Sequence, residues 1–412
     1  MDLFNFSERV AWMRKRLAHI DYFILIPYLV LLGIGIVMVY SASSDIMAAA
    51  GKSPTAYLNR QTIFVIGGLF AAALGFILPL RLFASGRFVR LAVGVTMAML
   101  FGLLVMGYFR PDLKVNGAMA WFDVGFFNVQ PVEIAKLVLV LYLARILSRR
   151  EEKLTRFHEA VRQIIAPMIV AGLMAMFVLL EPDTGGMAIL LFLTLLMIAA
   201  SGIKWSYGAL IMGGVVGFSI GGLQIMRSID LPWLKQSYQI KRLLAFFHPF
   251  KLENSVGRQL VNSYYAISNG GWFGVGIGNS IQKKGYLPEP YTDFIMSVIT
   301  EELGIIGAIV VLGILFFLIG RIVLVGIRAQ SAYRSLVCYG IGAWLFVQTL
   351  FNVGGMSGLL PITGVTLPFI SYGGSSMLML SAAIGLAMNV SCVEQVERER
   401  QQERGRTSAQ AK

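Results

Sequence analysis

Long apolar stretches separated by polar segments recur along this chain from residue 22 to residue 392. A helix needs roughly 20 apolar residues to cross the hydrocarbon core of a bilayer. Ten stretches approach or exceed that length, and the fourth and sixth are short. The pattern therefore predicts ten membrane-spanning helices, at 22–43, 62–80, 91–108, 132–147, 164–180, 187–203, 207–225, 294–319, 335–353 and 376–392.

Composition supports a membrane protein. Of the 412 residues, 57% are hydrophobic and 14% are charged, whereas soluble domains carry roughly 25% charged residues. This balance excludes a soluble enzyme, a disordered chain and a coiled coil. We expect an all-α polytopic fold with one membrane domain at 1–393, which includes a short basic leader at 1–21, and a polar, disordered cytoplasmic tail at 394–412.

The distribution of positive charge predicts the orientation of the helices. The formal net charge is +13, and lysine and arginine are enriched in the cytoplasmic loops of membrane proteins. Outside one long loop, most of these cations fall on the side that also carries both termini. Both termini are therefore predicted to be cytoplasmic. The excess of cations reflects topology, and we expect no nucleic acid partner.

The unusual polar sequences lie in the predicted outer loops, at 109–131, 181–186, 226–293 and 354–376. Loops this long and apolar usually fold back onto the protein or dip into the membrane. The cytoplasmic loops, in contrast, resemble simple connectors. The functional site is therefore expected at the outer face.

Asp293 directly precedes the apolar run FIMSVIT and is the most conspicuous outer carboxylate. Thr292 or Asp293 could simply cap the following helix, where the helix dipole favours an acid. Alternatively, Asp293 is functional, because Glu301 lies on the same helical face and falls within the predicted membrane span. Charged groups at that depth are usually paired or functional. Local sequence leaves both interpretations open.

Several cations lie on the same outer side. Lys136 stands three residues after Glu133, so these two can pair along one helix. Arg60, Lys241 and Arg242 can each extend to the membrane interface in the ordinary way. Together they could instead hold a pyrophosphate, because lysine and arginine bind phosphate oxygens well.

A simple turn before a helix is enough to explain two glycine-containing sequences, EPDTGG and SYGGSS. They also place polar groups at the outer face, which makes them candidate ligand contacts: Asp183, Ser371, Gly373 and Ser375.

Taken together, these segments resemble the SEDS family (shape, elongation, division and sporulation) of bacterial cell-wall glycosyltransferases. The resemblance follows the chain in order through VMVYSASS (37–44), NRQ (59–61), NGAMAWFDVG with QPVEIAK (116–136), EPDTGG (181–186), NSYYAISNGGWFGVGIGNSIQKKGYLPEPYTDFI (262–295), EELG (301–304) and LLPITGVTLPFISYGGSS (359–376). The HPF, NSYYAIS and QKKGYLPE segments are closer to the division-type, FtsW-like branch than to the elongation-type branch.

The resemblance implies ten membrane helices and polymerisation of lipid II outside the bacterial cytoplasmic membrane, at the division septum. It implies a class B penicillin-binding protein as transpeptidase partner, together with other division membrane proteins. The family's essential aspartate falls on Asp293, its lysine on Lys136, the acid before that lysine on Glu133, and its arginine on Arg60.

Two positions depart from the family pattern. Met119 and Ala120 stand where many members have an arginine, and Glu181 stands where members often have glutamine. These departures put the local contacts in doubt and leave the assignment of Asp293 unchanged.

The implied reaction is attack by an acceptor 4-hydroxyl on the anomeric carbon of lipid II, with inversion to a β-1,4 bond. One carboxylate base suffices, because pyrophosphate leaves without protonation. Our hypothesis makes Asp293 the general base, with Glu301 supporting it from within the membrane. A divalent cation, Mg²⁺ or Mn²⁺, is a candidate cofactor. The expected substrate contacts are Arg60, Glu133, Lys136, Asp183, Lys241, Arg242, Thr292, Ser371, Gly373 and Ser375.

Two other classes of function remain open. Membrane carboxylates also suit a lipid II flippase or another transporter. A transporter is expected to carry polar residues near mid-membrane in repeated halves, whereas here they gather at the outer face and no repeat is visible. The other alternative is a structural scaffold for cell division, in which Asp293 would be replaceable.

Overall fold

The computed structural model describes residues 16–110, 119–123, 125, 128–149, 157–203, 206–210, 213–214, 217, 221 and 238–410. Most of these residues are helical. The helices are α1 (Tyr22–Ala49), α2 (Ala56–Ile77), α3 (Leu80–Phe83), α4 (Gly86–Phe109), α5 (Pro131–Ser148), α6 (Phe157–Leu180), α7 (Thr184–Ala199), α8 (Tyr238–Phe247), α9 (Arg258–Gly270), α10 (Ile295–Ile327), α11 (Ala332–Met356) and α12 (Gly374–Gln410). A two-stranded antiparallel hairpin, β1 (Phe122–Asp123) and β2 (Asn128–Val129), precedes α5.

Within the described part of the chain, seven helices are long and apolar enough to cross a membrane. They are α1, α2, α4, α6, α10, α11 and α12. The predicted fourth span corresponds to α5, which carries Glu133 and Lys136, and the predicted sixth span corresponds to the shorter apolar helix α7. The predicted span at 207–225 falls mostly outside the described residues. The chain is therefore a mostly helical, polytopic membrane protein.

Small residues bring α2 and α12 into close contact. A Cβ atom built on Gly75 would meet the backbone of Ala382 and Leu386, and one on Gly385 would meet the backbone of Ala72. Helices in a membrane associate through this kind of close packing because lipid supplies no hydrophobic drive between them. The apolar part of α12 is thereby fixed against α2.

Helix α10 is interrupted at Gly304, which has φ 71° and ψ −179°. The preceding segment, 271–276, pairs with this interruption through its backbone. The N–H of Val275 donates to the carbonyl of Glu301 at 3.0 Å, and the N–H of Ile305 donates to the carbonyl of Gly271 at 2.9 Å. Backbone groups freed by a break need such partners inside a membrane protein. Segment 271–276 is thus built into α10.

The end of the chain differs from the predicted disordered tail at 394–412. Helix α12 continues through Gln410. Its polar part is attached to the first turn of α11, because Arg334 binds Glu397 with two hydrogen bonds of 2.7 and 2.8 Å. The backbone N–H of Gln330 also donates to Glu394 at 3.0 Å. These charged contacts explain why helical structure continues beyond the apolar sequence.

Candidate active site

Asp293 lies one residue before the N-cap of α10, which is Phe294. Among the described residues no side chain caps this helix, and the Thr292 hydroxyl instead donates to the carbonyl of Glu289 at 3.3 Å. The backbone carbonyl of Asp293 accepts a hydrogen bond of 2.9 Å from Asn352 on α11. The side chain of Asp293 is therefore left available for a role other than capping.

A cleft with about 190 Å³ of open space lies beside Asp293. Its wall combines α11 with the segment 362–365, and Asn352 joins the two because it also donates to the carbonyl of Val365 at 2.8 Å. The volume within it that the centre of a water molecule can occupy is about 10 Å³, which is room for about one water molecule. The cleft does not by itself enclose a sugar ring.

Charge around Asp293 is mixed. Burial raises the pKa of Asp293 to about 6, Arg242 opposes that rise, and Glu289 and Asp183 add to it. Arg242 and Asp293 both approach Gly364, where a Cβ atom would lie 3.1 Å from Arg242 Nη1 and 3.4 Å from Asp293 Oδ2. A carboxylate with a pKa just below neutral pH is suited to general base catalysis.

Lys136 and Glu133 form a buried ion pair on α5, with 2.6 Å between Lys136 Nζ and Glu133 Oε1. Lys136 also donates to Gln348 Oε1 at 3.3 Å and lies over the ring of Trp344, 5.3 Å from its centroid. The amide of Gln348 donates to the carbonyl of Thr366 at 3.0 Å. The pair thus supports the same 362–366 region that forms the cleft beside Asp293.

Asp183 connects this pair to the cleft. Its Oδ1 accepts a 2.7 Å hydrogen bond from the N–H of Gly186 and caps α7. Burial raises the pKa of Asp183, and the charges of Lys136 and Arg242 act in the opposite direction. Burial, followed by the charge of Asp183, raises the pKa of Glu181 to about 8. Asp183 therefore interacts electrostatically with both cations and with Asp293.

The segment before α12 is joined to the segment before α10. The Ser371 hydroxyl donates to the carbonyl of Thr292 at 2.5 Å, and the N–H of Tyr372 donates to the carbonyl of Tyr291 at 2.8 Å. Burial raises the pKa of Tyr372, and the neighbouring Arg60 acts in the opposite direction. Ser371 therefore orients the backbone next to Asp293, and Arg60 lies at the edge of the same surface.

The remaining candidates lie farther from this surface. Ser375 binds the hairpin, because its hydroxyl donates to the carbonyl of Asn128 at 2.7 Å, and Gly373 is the residue before α12. Glu301 binds the segment 280–282 and accepts hydrogen bonds from Ser280 Oγ at 2.5 Å and from the N–H of Ile281 at 3.1 Å. Lys241 belongs to α8, and its side chain lies outside the described residues.

Two further residues of this region, Gln348 and Asn352 on α11, are absent from the sequence-based candidates. Both are buried and bind the 362–366 region. Their signal was two amides four residues apart in an apolar helix, which places them on one face. The span stays apolar overall despite these two uncharged amides, so the prediction of a membrane helix did not single them out.

A metal site is not preformed in the described residues. They contain no group of three or more His, Cys, Asp and Glu side chains that could hold a metal ion. Mg²⁺ usually binds one or two carboxylates together with substrate phosphates. The residues that the structure describes do not form a dedicated protein site for the cation considered above, and we derive no step through it.

Comparison with known proteins identifies the family. A family model described as "Cell cycle protein", covering FtsW, RodA and SpoVE, matches residues 22–396. The probable peptidoglycan glycosyltransferase FtsW of Lactococcus lactis subsp. lactis is 41% identical over 91% of this chain and 93% of the relative. The corresponding FtsW of Bacillus subtilis is 36% identical over 92% of both chains.

Solved structures agree with this match. A peptidoglycan synthase complex described as coordinating polymerization and crosslinking aligns with a TM-score of 0.71 and 26% identity, over 91% of this chain and 98% of the other. The rod shape determining protein RodA of Thermus thermophilus aligns with a TM-score of 0.62 and 26% identity, over 90% and 96%. The resemblance to the SEDS family is confirmed: the chain belongs to the FtsW/RodA/SpoVE family of cell cycle proteins.

Proposed function

We propose that this chain is a peptidoglycan glycosyltransferase that polymerises lipid II into β-1,4-linked glycan strands at the outer face of the cytoplasmic membrane during septal cell-wall synthesis. Relatives that carry the name probable peptidoglycan glycosyltransferase FtsW support the activity. The observation that carries the mechanism is the approach of the Asp293 carboxylate and the Arg242 guanidinium to the same point beside Gly364, at the edge of the cleft.

In this mechanism Asp293 is the general base. It accepts the proton of the acceptor 4-hydroxyl while that oxygen bonds to the anomeric carbon of the donor. The bond from this carbon to the pyrophosphate breaks, and the configuration inverts. Arg242, with Lys241 next to it in sequence and Arg60 at the edge of the surface, neutralises the departing pyrophosphate.

The other polar residues hold this arrangement or contact the lipid-linked sugars. Glu133 orients Lys136, and both act through Gln348 and Asp183 on the cleft. Thr292 and Ser371 contact the lipid-linked sugars next to Asp293. Gly373 and Ser375, at the start of α12, contact the substrate farther from the cleft. Glu301 supports Asp293 through the segment 280–282.

The proposed topology has ten membrane helices with both termini in the cytoplasm. We propose a class B penicillin-binding protein as the crosslinking partner, because a structurally similar complex is described as coordinating polymerization and crosslinking. Other membrane proteins of the division machinery would join this pair at the septum.

Reconstituted vesicles test the function. The purified chain and its penicillin-binding partner are inserted into vesicles with fluorescent lipid II, and glycan strands and lipid II in each leaflet are measured. We expect glycan strands to form without transfer of lipid II between leaflets. Transfer without strands would support the flippase alternative and contradict the glycosyltransferase.

The rate of polymerisation is expected to depend on the ionisation of Asp293. Because burial raises the pKa of this group to about 6, the base is protonated below that pH and ionised above it. Initial rates measured between pH 5 and pH 8 should therefore rise with pH, with a midpoint near 6. On the acid side the logarithm of the rate should approach a slope of one against pH, because one proton is lost. A rate that is flat through this range would contradict the assignment.

A further inference from the structure

A buried ion pair outside the proposed active site joins α10 to the segment before it. Lys283 Nζ lies 2.9 Å from Glu302 Oε1, and these side chains are 1% and 0% exposed. The Ser41 hydroxyl of α1 donates to the Glu302 carboxylate at 2.7 Å and accepts from Lys283 at 3.1 Å. Burying two charges is costly unless both groups also form hydrogen bonds. Ser41 supplies one hydrogen bond to each of them.

This cluster lies where α10 is interrupted. Glu302 stands two residues before Gly304, and its carbonyl accepts from the N–H of Gly276 at 3.0 Å. The neighbouring Glu301 carboxylate binds Ser280 and the N–H of Ile281. Side chains and backbone together therefore attach segment 271–283 to α10.

The attached segment leads directly to Asp293. Lys283 is ten residues before it, and the N–H of Leu287 donates back to the carbonyl of Gln282 at 2.8 Å. The far end of segment 284–293 is held by Ser371 and Asn352. The position of Asp293 is therefore determined from both ends, and Lys283 provides a charged anchor at the upstream end.

We propose that Lys283, Glu302 and Ser41 form a positioning triad that fixes segment 284–293, and with it Asp293, relative to α1 and α10. The proposal rests on the proposed function of Asp293 as the base. The triad does not touch the reacting atoms. It acts by limiting the displacement of a carboxylate whose alignment with the acceptor hydroxyl determines the rate.

Lys283→Met is the first test, with Lys284→Met as its matched control, because Lys284 is the next residue and is exposed. We expect Lys283→Met to lower kcat by about 10- to 100-fold with little change in KM, since a displacement of about 1 Å can cost 10²-fold. Lys284→Met should keep the parent kcat. The thermal midpoint of each preparation shows whether the compared proteins are folded.

The pH profile separates positioning from stability. If segment 284–293 loosens, Asp293 gains contact with water and its pKa falls toward the ordinary carboxyl value. The acid limb of the rate profile of Lys283→Met should therefore move to lower pH, whereas the limb of Lys284→Met should stay in place. An unmoved limb with parent kcat in folded Lys283→Met would overturn the proposal.

The double variant Lys283→Met/Glu302→Gln keeps the test decisive if the single variant folds poorly. It removes both members of the buried pair, and Asp45, whose carboxylate lies 3.9 Å from Lys283 Nζ, is 42% exposed and retains contact with water. The thermal midpoint of the double variant should therefore recover. A positioning role predicts that kcat stays low, and full recovery of kcat together with stability would overturn it.

The Asp293→Asn variant distinguishes failure of the triad from failure of the proposed function. If Asp293→Asn polymerises at the parent rate, the proposed base is wrong. If Asp293→Asn is inactive and Lys283→Met has the parent kcat, only the triad is wrong.

Discussion

Asp293→Asn is expected to lower the rate of lipid II polymerisation by about 10²- to 10⁴-fold, the usual contribution of a general base. Asparagine has nearly the same shape as aspartate and cannot accept the proton of the acceptor hydroxyl. The change removes the base while Asn352 still binds the backbone carbonyl of residue 293. Initial rates at saturating lipid II, measured with the penicillin-binding partner, give the comparison.

The matched control is Glu289→Gln, an isosteric change of an exposed carboxylate four residues earlier. Glu289 contributes to the raised pKa of Asp293. Its loss lowers that pKa, so Asp293 stays ionised at neutral pH and the rate there should stay near that of the parent. Binding of lipid II to Asp293→Asn is expected to persist. A folded Asp293→Asn protein that polymerises at the parent rate would remove the base from the mechanism.

Lys136→Met is expected to cause the largest loss of stability. It leaves Glu133 buried without its cation, and breaking a buried ion pair in this way costs about 3–5 kcal/mol. Polymerisation should also fall steeply, because Lys136 is linked through Gln348 to the 362–366 region and acts on Asp183. The thermal midpoint and the rate are measured on the same preparation.

Lys52→Met provides the control, since Lys52 is an exposed lysine between α1 and α2. Its replacement should change neither measurement. A Lys136→Met protein with the thermal midpoint and rate of the parent would show that the pair on α5 supports neither the fold nor the cleft.

Much of the helical architecture could be predicted because a membrane span depends on local composition. The apolar runs at 22–43 and 335–353 lie within α1 and α11. The tail differed because its helix depends on ion pairs with Arg334, some 60 residues away in sequence. Hydropathy contains no information about such partners.

The site was predictable only in part. Asp293 and the Glu133–Lys136 pair stand out because charges are rare in apolar surroundings. Local sequence could not exclude that Asp293 caps α10; among the described residues no side chain caps that helix. Glu301 was identified as buried support, but its binding to segment 280–282 depends on contacts between separate segments, as does the pairing of Glu302 with Lys283.

The most direct test is the structure of Asp293→Asn with its partner and two bound lipid II molecules, a complex in which slow chemistry preserves the substrates. We expect the acceptor 4-hydroxyl within about 3.2 Å of the residue 293 side chain, or one water molecule away, on the face of the donor opposite the pyrophosphate. An acceptor hydroxyl held by Glu133 or Asp183, with residue 293 outside hydrogen-bonding reach, would contradict the mechanism.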